Sequence, residues 1–131
     1  MSAALLLDTH VLLWWLLKPR KLSRHVHALI ETADVAVSVI GLWEIRLKAD
    51  SGKLTVPPGP LPGLIERQGF RILPLRVAHV MSAADIGGRH GDPMDRLLLG
   101  TALAEGMAFV TRDPRLLEVA APVLGDLLVE A

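Results

Sequence analysis

His90-Gly-Asp-Pro-Met-Asp95-Arg-Leu-Leu-Leu-Gly100-Thr-Ala-Leu-Ala-Glu105-Gly-Met-Ala-Phe-Val110-Thr-Arg-Asp113 reads as a loop, a helix, a turn, a buried strand and a final acid. Asp92-Pro93 opens the helix, because the residue before a proline is pushed to extended geometry while proline suits the first helical position. Asp92 is therefore the expected N-cap. Leu97 to Ala104 is apolar nearly all round, the pattern of a helix packed on both sides, and Gly100 and Ala104 stand one turn apart, where small residues allow close backbone approach. Gly106 ends the helix. Ala108 to Thr111 is then a short apolar run of the kind buried in a parallel sheet, which puts Asp113 just past the strand's C-terminal end. In open α/β sheets that edge is where ligands bind.

The same pattern recurs along the chain. Ala3 to Leu7 reads as a buried strand, with Asp8 at its end capping a helix from Thr9 to Leu17. Ser23 caps a second helix running to about Ala33. Val35 to Val39 is β-branched and reads as a second strand, with Ser38 at its end. A helix from about Ile40 to Ala49 follows, stopped by Gly52, and Glu44 falls near its first turn. Leu61 to Gln68 is a short helix, Phe70 to Leu73 a third strand candidate and Val77 to Ala84 a further helix. Ile86 to Gly91 is a loop carrying His90, a candidate phosphate or metal contact. Pro114 begins a last helix, and Val123 to Val129 is expected to add an edge strand. Strands alternating with helices at this length predict a three-layer α/β/α sandwich around a mostly parallel sheet, in one domain over residues 1–131.

Composition narrows the classes. The chain has 131 residues, 51% hydrophobic, enough for a core without staples. It has no cysteine, which excludes disulfides and thiolate metal ligation and makes the cytoplasm the expected location. Val11 to Leu17 is far short of the roughly 20 residues that span a bilayer, so no membrane association is expected. Fourteen basic residues balance fourteen acidic ones, so a polyanion has to be held locally. Basic residues gather at Lys18, Arg20, Lys21 and Arg24, and at Arg46, Lys48 and Lys53, a pattern more typical of solvated faces. Trp14 and Trp15 lie on a helix too apolar for a surface and are expected in the core, with a subunit interface as the second reading. The apolar excess predicts a homodimer.

Asp8, Glu44, Asp92, Asp95 and Asp113 are all delivered toward one sheet edge by this topology. Each alone reads as a cap or a dipole partner. Together they resist that reading, because a fold gains no stability by gathering carboxylates that repel one another. An all-oxygen cluster suits a hard divalent cation such as Mg²⁺ or Mn²⁺, whose chemistry at such a site is phosphodiester hydrolysis. No Walker loop, Gly-x-Gly-x-x-Gly or His-Glu-x-x-His is present.

Leu5-Leu-Leu-Asp8-Thr-His-Val-Leu-Leu-Trp, Ser38-Val-Ile-Gly-Leu-Trp-Glu44-Ile, His90-Gly-Asp-Pro-Met-Asp95-Arg-Leu-Leu and Thr111-Arg-Asp113 resemble, in order and spacing, the motifs of the PIN-domain family, specifically the VapC-type toxins of toxin–antitoxin pairs. The resemblance runs nearly end to end. It implies an endoribonuclease dependent on Mg²⁺ or Mn²⁺, a homodimer, and neutralisation by a small antitoxin; the negative potential of the clustered acids adds the expectation that the antitoxin inserts a C-terminal segment carrying an arginine. The resemblance makes Asp8, Glu44, Asp95 and Asp113 the catalytic and metal-site acids, with Asp92, Thr9, Ser38 and Thr111 as candidates to support them. Met94 stands where an aromatic is expected, and Gly41 where a better helix former is expected, which predicts a looser turn. The rival readings are a non-catalytic Mg²⁺-binding signalling module of receiver type and a degenerate PIN protein that only binds. A receiver, however, carries an adjacent acid pair after its first strand and a lysine after a late one. Here Thr9 follows Asp8, and Arg112 follows Thr111.

Overall fold

Leu5–Leu7, Val35–Ser38 and Ala108–Thr111 are buried at every position, so these strands need cover on both faces, and the chain supplies it with helices. The structure, a computed structural model, describes residues 3–86 and 91–131; His90 lies outside the described residues. Among the described residues five strands, β1 (Leu5–Leu7), β2 (Val35–Ser38), β3 (Arg71–Leu73), β4 (Ala108–Thr111) and β5 (Leu128–Glu130), form one sheet in the order β3-β2-β1-β4-β5. Every pairing is parallel: Leu5 lies opposite Val35 on one side of β1 and Ala108 on the other.

Side-chain alternation sorts the core into two layers. Leu5, Leu7, Val35, Val37 and Val110 point to one face, under α1 (Thr9–Leu17), α2 (Arg24–Thr32) and Ile65 of α4 (Leu61–Arg67). Leu6, Ala36 and Phe109 point to the other, against Leu98 and Leu99 of α6 (Pro93–Glu105) and Leu116 of α7 (Pro114–Leu124). This is the α/β/α sandwich expected. The chain moves outward from β1 through β2 to β3, then returns to the other side for β4 and β5, so the strand order reverses between β1 and β4. A ligand site is expected in the crevice at that reversal.

The caps form where expected. Asp8, Ser23, Ser38, Asp92 and Asp113 each accept a backbone N–H at the start of a helix. Gly106 closes α6 in the left-handed conformation, φ 65°. Gly100 packs against α5 (Val77–Ile86) so closely that an added Cβ would lie 2.5 Å from the Ala83 nitrogen and 2.7 Å from the His79 carbonyl oxygen. Ala104, one turn on, is exposed and takes no part in this approach. No helix among the described residues is long and apolar enough to cross a membrane.

Four expectations are corrected. The edge strand is Leu128–Glu130 alone, because α7 continues through Pro122 to Leu124 before a short 3₁₀ turn. Pro122 withholds its own N–H from the Glu118 carbonyl, and the helix ends two residues later. Glu44 is on the second turn of α3 (Val39–Asp50), beyond the reach of the dipole argument. Gly41 does not break α3; it is buried, with Thr9 Oγ1 3.5 Å from where a Cβ would stand. Trp14 and Trp15 are only partly buried. Trp15 packs against His27 and Phe70 and donates from Nε1 to Gln68 Oε1, at 3.2 Å.

Candidate functional site

Asp8 leaves the end of β1 directly into α1 and is 4% exposed. Its Oδ1 accepts the Thr9 N–H at 2.8 Å, and its Oδ2 accepts the Thr111 hydroxyl at 2.8 Å. Thr111 ends β4, the strand paired with β1, so the reversal of strand order brings Asp8 and Asp113 to the same crevice. The Thr111 oxygen also accepts the Asp113 N–H, at 3.2 Å, which ties both acids to one hydroxyl.

Glu44 reaches the site from α3 and is also 4% exposed. Thr9 donates its hydroxyl to Glu44 Oε1 at 2.6 Å, and Lys48 donates from Nζ to Glu44 Oε2 at 2.9 Å. Asp95 and Asp92 come from the first turn and N-cap of α6. Carboxylate oxygens of Glu44, Asp92 and Asp95 all lie within 4.8 Å of one another, close enough to share one ion. Asp92 was expected only as a cap or a supporting residue. It is a cap, accepting the Met94 and Asp95 N–H groups at 2.9 and 3.1 Å through Oδ1, and it stands in the acid cluster as well.

Electrostatics follow from this crowding. Burial pushes the Asp8 carboxyl up from 3.8 to about 7, helped by the charges of Asp95 and Glu44 and opposed by the hydrogen bonds from Thr111 and Thr9. For Lys48, partial burial opposes the charge, but the ion pair with Glu44 and the nearby charges of Asp92 and Asp95 outweigh it and raise its pKa. A cavity of about 660 Å³ opens over Asp92, Asp95 and Asp113, with Arg115 and Glu118 on its wall. A second, of about 390 Å³, touches Asp8 and Asp113 and is lined also by His10, Trp14 and Arg112.

The structure thus gathers Asp8, Glu44, Asp92, Asp95 and Asp113 around one crevice and sets Thr9 and Thr111 directly behind two of them. Ser38 caps α3, accepting the Ile40 N–H at 3.0 Å. Lys48 had read as part of a solvated basic group. The available signal was its spacing, since Glu44 and Lys48 are an i, i+4 pair in the favourable order.

The PIN-domain pattern matches residues 5–122, which takes in all five acids. The chain belongs to the PIN-domain family. Among curated relatives of this PIN domain, Ribonuclease VapC22 of Mycobacterium tuberculosis (strain ATCC 25618 / H37Rv) is 30% identical over 115 residues, 85% of this chain and 88% of its own. Among solved structures, VapBC2 from Rickettsia felis, bound to a DNA fragment from its promoter, aligns with a TM-score of 0.63 at 15% identity over 98% of this chain and 97% of that one. FitAcB from Neisseria gonorrhoeae aligns at 0.61 and 24% identity over 96% and 95%. At those identities the structural likeness establishes the fold, and the fold is PIN-like.

Proposed function

We propose that residues 1–131 form one PIN domain acting as a cytoplasmic endoribonuclease dependent on Mg²⁺ or Mn²⁺, the toxin of a toxin–antitoxin pair. The observation that carries this is the convergence of Glu44, Asp92 and Asp95 within 4.8 Å beside the buried Asp8. The donor set is all oxygen and rich in charge, which fits a hard divalent cation and no softer one. Bound there, such an ion supplies an activated water and neutralises charge on the phosphoryl group in transit. Asp8, Glu44 and Asp95 would hold it, with Asp92 within reach and Asp113 at the rim.

The chain's own groups prepare the site. Thr9 and Thr111 fix the carboxylate planes of Glu44 and Asp8, so little side-chain freedom remains to be lost on binding. Lys48 stabilises Glu44 while the cluster lacks a cation. Asp113 caps α7 by accepting the Arg115 N–H at 2.9 Å and lines the crevice where the scissile phosphate would lie. The relative VapC22 bears the name of a ribonuclease, which supports RNA as the substrate class. The structural neighbours VapBC2 and FitAcB support an antitoxin partner. Its C-terminal segment would place an arginine among Asp8, Glu44, Asp95 and Asp113, because a guanidinium meets carboxylates bidentately and keeps its proton. A homodimer finds its support on α5 rather than at Trp14 and Trp15. Val77 and Met81 are 78% and 59% exposed on one stripe, with Val80 beside them.

The test is incubation of the purified chain with RNA in Mg²⁺, in Mn²⁺ and in chelator. Cleavage should require metal and vanish in Asp95→Asn. Full cleavage in excess chelator refutes metal dependence, and RNA binding without cleavage under all conditions makes the chain a binding member of the fold.

A further inference from the structure

The sequence shows two basic groups, and the fold re-sorts them. Arg46 pairs with Asp50, and Lys48 with Glu44. Arg20 and Arg24 line a separate cavity beside α2. Lys18 and Lys21 from the end of α1 and the turn after it instead meet Lys53 from the loop after α3. They line one slot of about 170 Å³ with His10, Trp14 and Thr55. Among the described residues lining this slot there is no acid. His10 and Trp14 are spaced i, i+4 on one face of α1, and Lys18 is the residue that caps its C-terminal end. His10 and Trp14 are also walls of the 390 Å³ cavity that touches Asp8 and Asp113, so the slot and the acid crevice adjoin. Arg112 lines the cavity on the acid side. Its guanidinium lies 4.8 Å from the Trp14 ring centroid and is tied to the Ala131 and Lys21 carbonyl oxygens. Lys21 Nζ lies 5.6 Å from the same ring.

We propose that this slot is the path by which a single-stranded RNA reaches the acids, with Trp14 and His10 as base-stacking surfaces and Lys18, Lys21, Lys53 and Arg112 meeting the phosphates. This rests on the ribonuclease reading and adds the substrate's route. A chain of zero net charge whose reacting site is acidic repels a polyanion there, so the substrate has to be gripped next door. Aromatic rings interleaved with cations are the features of single-strand binding.

The experiment uses the full chain in chelator, where no cleavage occurs, and follows the anisotropy of a fluorescein-labelled RNA of about 10 nucleotides, within the usual site size. The double variant Lys21→Ala, Lys53→Ala changes only exposed side chains. It should lower the slope of log K against log salt by about 1.4, at about 0.7 per single-strand phosphate contact. Trp14→Leu should weaken binding roughly tenfold with the slope unchanged, and Trp14→Phe, which keeps a ring, should restore most of it. With metal present, the lysine variant should raise KM and leave kcat alone. Folded variants that bind as wild type overturn the path. So does an acidic peptide of similar length that binds in a Lys21- and Lys53-dependent way when RNA does not, which would make the slot a protein-docking site. Wild-type chain that binds RNA through this slot but cleaves none with either metal overturns the nuclease reading and leaves the path standing. Cleavage by wild type with affinity unchanged in the variants does the reverse.

Discussion

Removing the charge of Asp8 should make the metal-free protein more stable, although it destroys the site. With the folded carboxyl at about 7 and the unfolded one at 3.8, the folded state holds this proton more tightly. A raised acid pKa therefore costs stability as pH rises. Below about pH 4 both states are protonated and the penalty is nil; it grows through the interval and is complete above about pH 7. Roughly three units at about 1.4 kcal/mol each make about 4 kcal/mol at most. Asparagine keeps the hydrogen bonds, since its oxygen can accept the Thr9 N–H while its amide donates to Thr111, whose hydroxyl rotates to suit. Urea unfolding in chelator should then show Asp8→Asn more stable than wild type by about 2–4 kcal/mol near pH 8, with the gap closing toward pH 4. Adding Mg²⁺ or Mn²⁺ should raise the wild-type midpoint and leave the variant's where it was. A wild type whose metal-free stability is flat from about pH 5 to 8, or a variant that is weaker near pH 8, would refute the account of a charge strained by burial and by its neighbours.

Lys48→Met should lower metal-free stability by about 1 kcal/mol, the worth of a charged hydrogen bond discounted for Lys48's partial exposure. It should also tighten Mn²⁺ binding by titration calorimetry, because the ion no longer competes with the ammonium for Glu44; weaker binding would mean that Lys48 serves to orient the ligand. Gly100→Ala, which gains helix propensity, should nonetheless cost about 1–3 kcal/mol by chemical denaturation, since the new methyl meets the α5 backbone rather than a movable side chain. Undiminished stability in Gly100→Ala would show that α5 can slide. Val77→Glu with Met81→Lys should convert a dimer to a monomer in sedimentation at unchanged monomer stability, and a wild type already monomeric at micromolar concentration removes the proposed α5 interface.

Local chemistry was enough to read the elements and their ends. Asp8, Ser23, Asp92-Pro93, Gly106 and Asp113-Pro114 are short-range signals, in which a side chain or a fixed φ satisfies backbone groups a few residues away, and each appears where the sequence places it. Continuous apolar runs likewise announced strands covered on both faces. Topology followed, because parallel strands with helical crossovers deliver their ends to one edge, and so the five acids could be expected together before any contact was known.

What remained hidden depends on partners distant in sequence. Whether Trp14 and Trp15 are core or surface turns on what α2, the turn between α4 and β3, and Arg112 lay against them. The sorting of lysines into an ion pair at Glu44 and a slot beside His10 turns on where the loop after α3 crosses α1. Asp92 reads as a cap from sequence because capping is local, whereas its place beside Glu44 comes from the packing of α3 on α6. The charge state of Asp8 is likewise a tertiary property. An aspartate after a strand is ordinary until burial and two neighbouring carboxylates, brought from residues 44 and 95 by the fold, raise the cost of its ionisation.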